Sequence, residues 1–178
     1  MNPSNLRSAA GRRTVARATV PLALVLPWAV LQACVDSTGP PHPLIEATEF
    51  APALDVDLEA MTRIDGGLYV EDLVVGEGRE VGFYQEVVLA YDLHLPDGRL
   101  VIHQDSAKFI MGCYEVVSGL EAGVRGMRVG GARRIVVPPR LGYGERAPWP
   151  LEIPPFSILV YEAEVLRTSG RRCPGSEP

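Results

Sequence analysis

The sequence predicts an α+β domain in which a curved antiparallel β-sheet wraps around one short α-helix. Apolar residues recur at every second position through much of residues 66–168, which indicates strands, and only one stretch there has helical spacing. Strands with this alternation are typical of antiparallel sheets that keep one face in water. The single helix is therefore expected to cover the other face.

Six stretches are predicted as strands. They span residues 68–75, 86–95, 100–102, 108–111, 132–137 and 158–166. In the second and the last, the alternation places Tyr91 and Tyr161 on the inward face. Between the second and third strands, Pro96-Asp97-Gly98 predicts a tight turn, because proline fixes one backbone angle and glycine accepts a positive φ.

The helix is predicted from Ser118 onward. Leu120, Val124 and Met127 are spaced i, i+4 and i+7, so they form one apolar stripe. Ser118 and Glu121 have the spacing of a capping box, in which each side chain accepts a hydrogen bond from the backbone at the start of a helix.

The N-terminal part of the chain has the features of a targeting segment. A basic region ends near Arg17, and the apolar run over residues 20–31 is too short for a comfortable membrane span. The run ends at Leu31-Gln32-Ala33-Cys34, which looks like a bacterial lipoprotein processing site with Cys34 as the lipid attachment residue. An ordinary secretory peptide or a short signal anchor is the alternative interpretation.

We expect four parts along the chain. They are a lipoprotein-type signal peptide at 1–33, a Pro-rich and acidic tether at 34–65, the folded domain at 66–168 and a polar tail at 169–178. Such a protein would be exported to the cell envelope and anchored to a lipid bilayer through Cys34, on the periplasmic side or the outer surface.

Charge and cysteine content exclude some classes of function. Without residues 1–33 the chain keeps 13 basic and 22 acidic residues, so nucleic acid is not an expected partner. The three histidines are scattered, and no metal site or cofactor is predicted. Cys113 and Cys173 could pair in an oxidising compartment or remain two thiols, and the sequence favours neither.

Short motifs in a fixed order connect the domain to a known family. They are Gly67-Leu68-Tyr69, Glu115-Val116-Val117-Ser118-Gly119-Leu120, Gly142-Tyr143-Gly144 and Ile153-Pro154-Pro155. Together they resemble the FKBP-type peptidyl-prolyl cis-trans isomerases (rotamases), over roughly residues 66–166. The resemblance implies the FKBP fold and peptidyl-prolyl isomerase activity. Together with the targeting segment, it predicts an isomerase that helps exported proteins fold. It also implies proline-containing polypeptides as partners, and macrolides as possible ligands.

The resemblance also implies a pocket for one proline ring. Its catalytic residues would be Tyr143 and Tyr91, and its substrate-binding residues Val101, Val116, Val117, Leu120, Ile153 and Tyr161. In this family the matching tyrosine hydroxyl and isoleucine N–H bind ligand carbonyl groups. Tyr143 points to function on its own account as well, because a tyrosine between two loop glycines has little packing reason to exist.

Two positions depart from the family pattern. Val101 and Ile102 stand where the family usually has a phenylalanine and an aspartate, so the predicted pocket is roomier and less polar than is usual. Asp105 is a candidate to replace the missing carboxylate. Two alternatives to a fast isomerase therefore remain open. One is a weakly catalytic or non-catalytic prolyl-peptide-binding or chaperone module, and the other is a structural envelope lipoprotein with a filled pocket.

Overall fold

The computed structural model describes residues 43–146 and 150–170 of the chain. The described residues form one antiparallel sheet and one α-helix, which confirms the predicted fold class. The strands are β1 (Thr62–Ile64), β2 (Leu68–Val74), β3 (Gln85–His94), β4 (Leu100–Ile110), β5 (Ala132–Val137) and β6 (Leu159–Gly170). They lie side by side in the order β1-β2-β5-β6-β3-β4. Within these residues no helix is long and apolar enough to cross a membrane.

Helix α1 (Ser118–Val124) packs on the inner face of the sheet. Glycine at two positions permits the close approach, because a Cβ on Gly123 would lie 2.6 Å from the side chain of Ile135 and one on Gly119 would collide with Val137. Leu120 on the same helix is 2% exposed within the main core. The predicted helix is confirmed, but it ends at Val124, so Met127 is buried beyond the helix and is not part of its stripe.

The predicted capping box is wrong. Val117 occupies the N-cap position, and no side chain caps the helix. The carboxylate of Glu121 instead accepts a hydrogen bond from the backbone N–H of Gly112 at 3.1 Å. The glutamate therefore ties the turn before the helix to the helix itself.

Strand lengths differ from the sequence expectation in two places. The predicted short strands at 100–102 and 108–111 are one continuous strand, β4, with an irregularity opposite Leu89 and Tyr91. Four successive residues in the middle of β4, from His103 to Ser106, are polar and exposed, which interrupts the alternation in the sequence. Strand β6 runs to Gly170, two residues beyond the predicted domain limit. The predicted turn at Pro96-Asp97-Gly98 is confirmed, with Gly98 at φ +88°.

The predicted tether over 34–65 is wrong for the residues that the structure describes. Residues 43–61, here called the N-terminal segment, lie on the outer face of the sheet and include two short 3-10 helices, Ile45–Ala47 and Pro52–Leu54. Ile45, Leu54 and Met61 are buried there, in a second core of residues from β2, β5 and β6 and the residue before β6. These apolar residues follow neither a helical nor a strand period, so composition alone suggested a solvated linker.

Arg134 holds the N-terminal segment to the sheet. Its side chain on β5 is 7% exposed and donates hydrogen bonds to the carboxylates of Glu71 at 2.9 Å and Glu162 at 3.0 Å. The same guanidinium donates to the backbone carbonyl of Asp55 at 2.7 Å. Because a buried guanidinium is stable only when its donors are satisfied, Arg134 adds a polar link between the segment and the sheet to their apolar packing.

We expect Arg134→Ala to lower the free energy of unfolding by about 2 kcal/mol, since it leaves two acceptor carboxylates and a carbonyl without their donor. Urea denaturation measures the loss, and limited proteolysis should show faster cleavage within residues 45–61. Arg167→Ala removes a charge from an exposed position on β6 and serves as the control. Equal stability of the two variants would contradict the role given to Arg134.

Candidate functional site

The predicted pocket residues all belong to the main core or pack against it. They are contributed by β3, β4, β6, α1, the turn before α1 and the loop between β5 and β6. Leu120, Ile153 and Tyr161 are buried members of this cluster, and Tyr91, Val101, Val116, Val117 and Tyr143 are partly buried against it. The partly buried residues keep one side accessible, as a binding site requires.

Three tyrosines form the aromatic part of the site. The rings of Tyr91 and Tyr161 meet edge to face, with centroids 5.8 Å apart. Burial raises the pKa of Tyr143 and of Tyr91, and raises the pKa of Tyr161 well above its ordinary value. The Tyr143 hydroxyl interacts with the Tyr161 hydroxyl, which partly opposes the rise in the pKa of Tyr143. All three hydroxyls are therefore neutral near pH 7, and Tyr143 is turned toward the core.

Ile153 is 7% exposed, but its backbone N–H already has a partner. That N–H donates to the carbonyl of Leu151 at 2.8 Å, within a three-residue turn. A ligand carbonyl would have to share or replace this bond. The sequence placed Ile153 among the binding residues without anticipating the turn.

The two departures from the family pattern have visible consequences. Ile102 lies opposite inward-facing Leu93 and packs on the core, so an apolar side chain fills the position of the usual carboxylate. Asp105 does not replace it, because its side chain is 91% exposed and its carboxylate contacts the ring of His103 at 3.1 Å. The candidate compensation by Asp105 is therefore wrong. Asp92 and Asp105 raise the pKa of His103, and the hydrogen bond with Asp92 is the largest cause.

The turn between β4 and α1 is held by two glutamates. Glu115 accepts a hydrogen bond from the N–H of Ile110 at 2.9 Å, and Glu121 accepts one from Gly112. Val116 and Val117 follow this turn directly and form part of the pocket wall. Cys113, in the same turn, is disulfide-bonded, and the other cysteines, Cys34 and Cys173, lie outside the described residues.

The site also contains residues that sequence reasoning did not name. Leu141 and Leu151 pack against the same cluster from the loop between β5 and β6. Their apolar character within a Pro/Gly-rich loop was the available signal. Trp149, considered from the sequence as a rim contact or a core cover, lies outside the described residues. In residues 43–146 and 150–170 no group of three or more His, Cys, Asp or Glu side chains could hold a metal ion.

Comparison with known proteins assigns the family. The profile of the FKBP-type peptidyl-prolyl cis-trans isomerases matches residues 78–166, which is half of the chain. The chain belongs to this family. Among FKBP relatives, peptidyl-prolyl cis-trans isomerase FKBP15-3 of Arabidopsis thaliana is 33% identical over 127 residues, which cover 68% of this chain and 87% of that protein.

Other FKBP matches are longer proteins or solved domains. The 46 kDa FK506-binding nuclear protein of Spodoptera frugiperda is 37% identical over 107 residues, 58% of this chain but only 26% of that protein, so the chain spans about a quarter of its length. FkpA from Escherichia coli is 26% identical with a TM-score of 0.57, covering 63% of this chain and 53% of its own. AtFKBP13 is 28% identical with a TM-score of 0.57, and the match covers 61% of this chain and 98% of AtFKBP13.

We expect Glu121→Ala to loosen the turn that positions Val116 and Val117. The N–H of Gly112 loses its acceptor, so the free energy of unfolding should fall by about 1 kcal/mol. Amide hydrogen exchange at Gly112 should become faster at the same time. Glu164→Ala, at an exposed position on β6, is the matched control. Unchanged exchange at Gly112 would show that Glu121 does not hold the turn.

Proposed function

We propose that this FKBP-family chain is a peptidyl-prolyl cis-trans isomerase that acts on exported proteins. The observation that carries the proposal is the placement of Tyr143, whose hydroxyl is turned toward Tyr161 at the edge of an apolar cluster. The name of the Arabidopsis relative, of which this chain covers 87%, supports the same reaction. The substrate is a proline-containing polypeptide.

The reaction needs a selective environment and no nucleophile. Amide resonance sets a barrier of ~18–20 kcal/mol to rotation about the prolyl C–N bond. Water favours the planar amide because it is the more dipolar form, and an apolar pocket favours the twisted one. Leu120, Val117 and Tyr161 supply the apolar surface for the ring. Binding the twisted form more tightly than the planar form lowers the barrier.

Polar groups at the rim would hold the flanking carbonyls. The Tyr143 hydroxyl remains protonated at neutral pH, because burial raises its pKa. It can therefore donate a hydrogen bond to a ligand carbonyl. The Ile153 N–H would act second, when a ligand displaces the carbonyl of Leu151 from it. Tyr91 adds an aromatic wall next to Tyr161.

A weakly catalytic or non-catalytic prolyl-peptide-binding module is the second candidate. It is favoured by Ile102, which packs on the core where the family usually has a carboxylate, and by the exposed position of Asp105. Val101 offers less apolar wall than the usual phenylalanine. Such a module would bind prolyl peptides without turnover. Macrolide binding is compatible with both candidates, since several relatives are named FK506-binding proteins.

We further propose that the protein is a lipoprotein of the cell envelope, anchored to the bilayer through Cys34. The basic region, the short apolar run and the cysteine after Ala33 support this, and all lie outside the described residues. The disulfide at Cys113 supports export, because protein disulfides persist mainly in oxidising compartments. With Cys34 acylated, its partner would be Cys173.

For the isomerase, we expect Tyr143→Phe to lower kcat/KM about tenfold in a prolyl-peptide cis/trans assay, because one hydrogen bond to the twisted amide is lost. Tyr114→Phe is the matched control, since the Tyr114 side chain is 85% exposed and far less buried than Tyr143. A rate equal to that of buffer for the wild-type chain, together with measurable peptide binding, would favour the binding module instead.

For the anchor, we expect mass spectrometry of the membrane fraction to show Cys34 carrying acyl chains. Cys34→Ala should release the protein into the soluble fraction, because anchoring depends on the acyl chains. Ser37→Ala, a substitution close to Cys34 that leaves every cysteine in place, should stay with the membrane and is the control. A wild-type protein in the soluble fraction with an unmodified Cys34 would contradict the anchor.

A further inference from the structure

A second groove borders the loop that carries Tyr143. It has a volume of about 350 Å³ and lies between the N-terminal segment and the residues that follow β5. Leu44, Pro138, Pro139 and Phe156 give it apolar walls. None of the predicted pocket residues lines it. We propose that this groove binds the residues flanking the proline of a client chain and favours clients that carry an acidic side chain there. This inference rests on the proposed function.

The charge of the groove selects the class of client. Arg63 and Arg140 both line it. A Cβ atom placed on Gly67 would lie 3.4 Å from Nη2 of Arg63 and 3.1 Å from Nη2 of Arg140. Two guanidinium groups therefore face the same small volume. Gly67 has φ +69° and no side chain, so this volume stays open.

The existing partners leave both arginines able to bind a carboxylate. Among the residues that the structure describes, Glu46 is the one acidic residue that lines the groove. Its carboxylate lies 3.6 Å from Nε of Arg63 and also accepts a hydrogen bond from Tyr69 at 2.7 Å. Arg140 donates to the carbonyl of Gly66 at 2.7 Å, a neutral partner. Two positive groups face one negative group, so an incoming carboxylate meets a net positive charge.

The backbone connects the groove to the prolyl site. Tyr143 belongs to the site and the next residue, Gly144, lines the groove. Ile153 likewise belongs to the site, and Phe156, three residues later, lines the groove. The Phe156 N–H donates a hydrogen bond to the carbonyl of Gly144 at 2.6 Å. Three extended residues span roughly 10 Å. A client with its proline in the pocket can therefore reach the groove with a side chain about three to five residues away.

The test compares three peptides on the full chain, purified in detergent. One is a four-residue prolyl probe. The other two extend it on both sides with either Glu or Lys at three to five residues from the proline. We expect KM for the Glu peptide to be about threefold or more below that for the Lys peptide, as for one or two exposed ion pairs. The double variant Arg63→Gln/Arg140→Gln should abolish this difference and leave kcat for the short probe unchanged.

Controls separate this inference from the proposed function. Arg167→Gln removes the same charge far along β6 and should keep the preference for Glu. Fluorescence anisotropy of labelled peptides gives the same comparison as Kd, so it applies even without turnover. Failure to isomerise the short probe would overturn the isomerase but not the groove. Equal binding of the Glu and Lys peptides would overturn the groove, including the case in which the chain's own residues before Pro43 fill it.

Discussion

The distance between helix α1 and the sheet is the constraint on which the site depends. Gly119 and Gly123 let the helix backbone rest directly on the side chains of Val137 and Ile135. Leu120 is carried down on the same turn and becomes the floor of the apolar cluster. A larger residue at either glycine would push the helix outward, which would change the volume offered to a five-membered ring.

Much of the fold follows from local rules that act over a few residues. Alternation predicted β2, β3, β5 and β6 closely, because each buries one face and leaves the other polar. The same alternation placed Tyr91 and Tyr161 on the inner face, where their rings meet. The same rule explains why the sequence predicted two short strands in place of β4. The central residues of β4 are exposed and polar, so they do not alternate.

What the sequence did not predict depends on contacts between distant residues. Glu121 has the spacing of a capping residue, but the N–H of Gly112 competes for it, and nothing in the local sequence reports that neighbour. The N-terminal segment lacks a period, so its three buried apolar residues gave no signal. Asp105 was close to the missing carboxylate in sequence, yet an exposed histidine is its partner. In the site, the identities of the tyrosines and valines were enough to predict that they pack together. The turn in which the Ile153 N–H bonds the carbonyl of Leu151 could not be predicted from the sequence.

The loop between β5 and β6 presents two different environments within a few residues. On one side, Tyr143 meets an apolar cluster in which hydroxyl groups are the polar component. On the other, Gly144 opens to a groove where two guanidinium groups converge. The apolar cluster suits a prolyl amide, which becomes less dipolar as it twists. The groove suits a carboxylate, which carries a full charge. In the proposed function, one short segment of backbone would serve both kinds of recognition.

The bond between Arg134 and Asp55 also determines where mechanical load enters the domain. Arg134 lies on β5, which has strands on both sides, and not on an edge strand. Tension applied to the chain ahead of Pro43 would therefore reach the hydrogen bond between Asp55 and β5 before it reached the edge strand β1. A protein pulled from that side would lose the N-terminal segment first, because that segment packs in the second core and the helix in the main one.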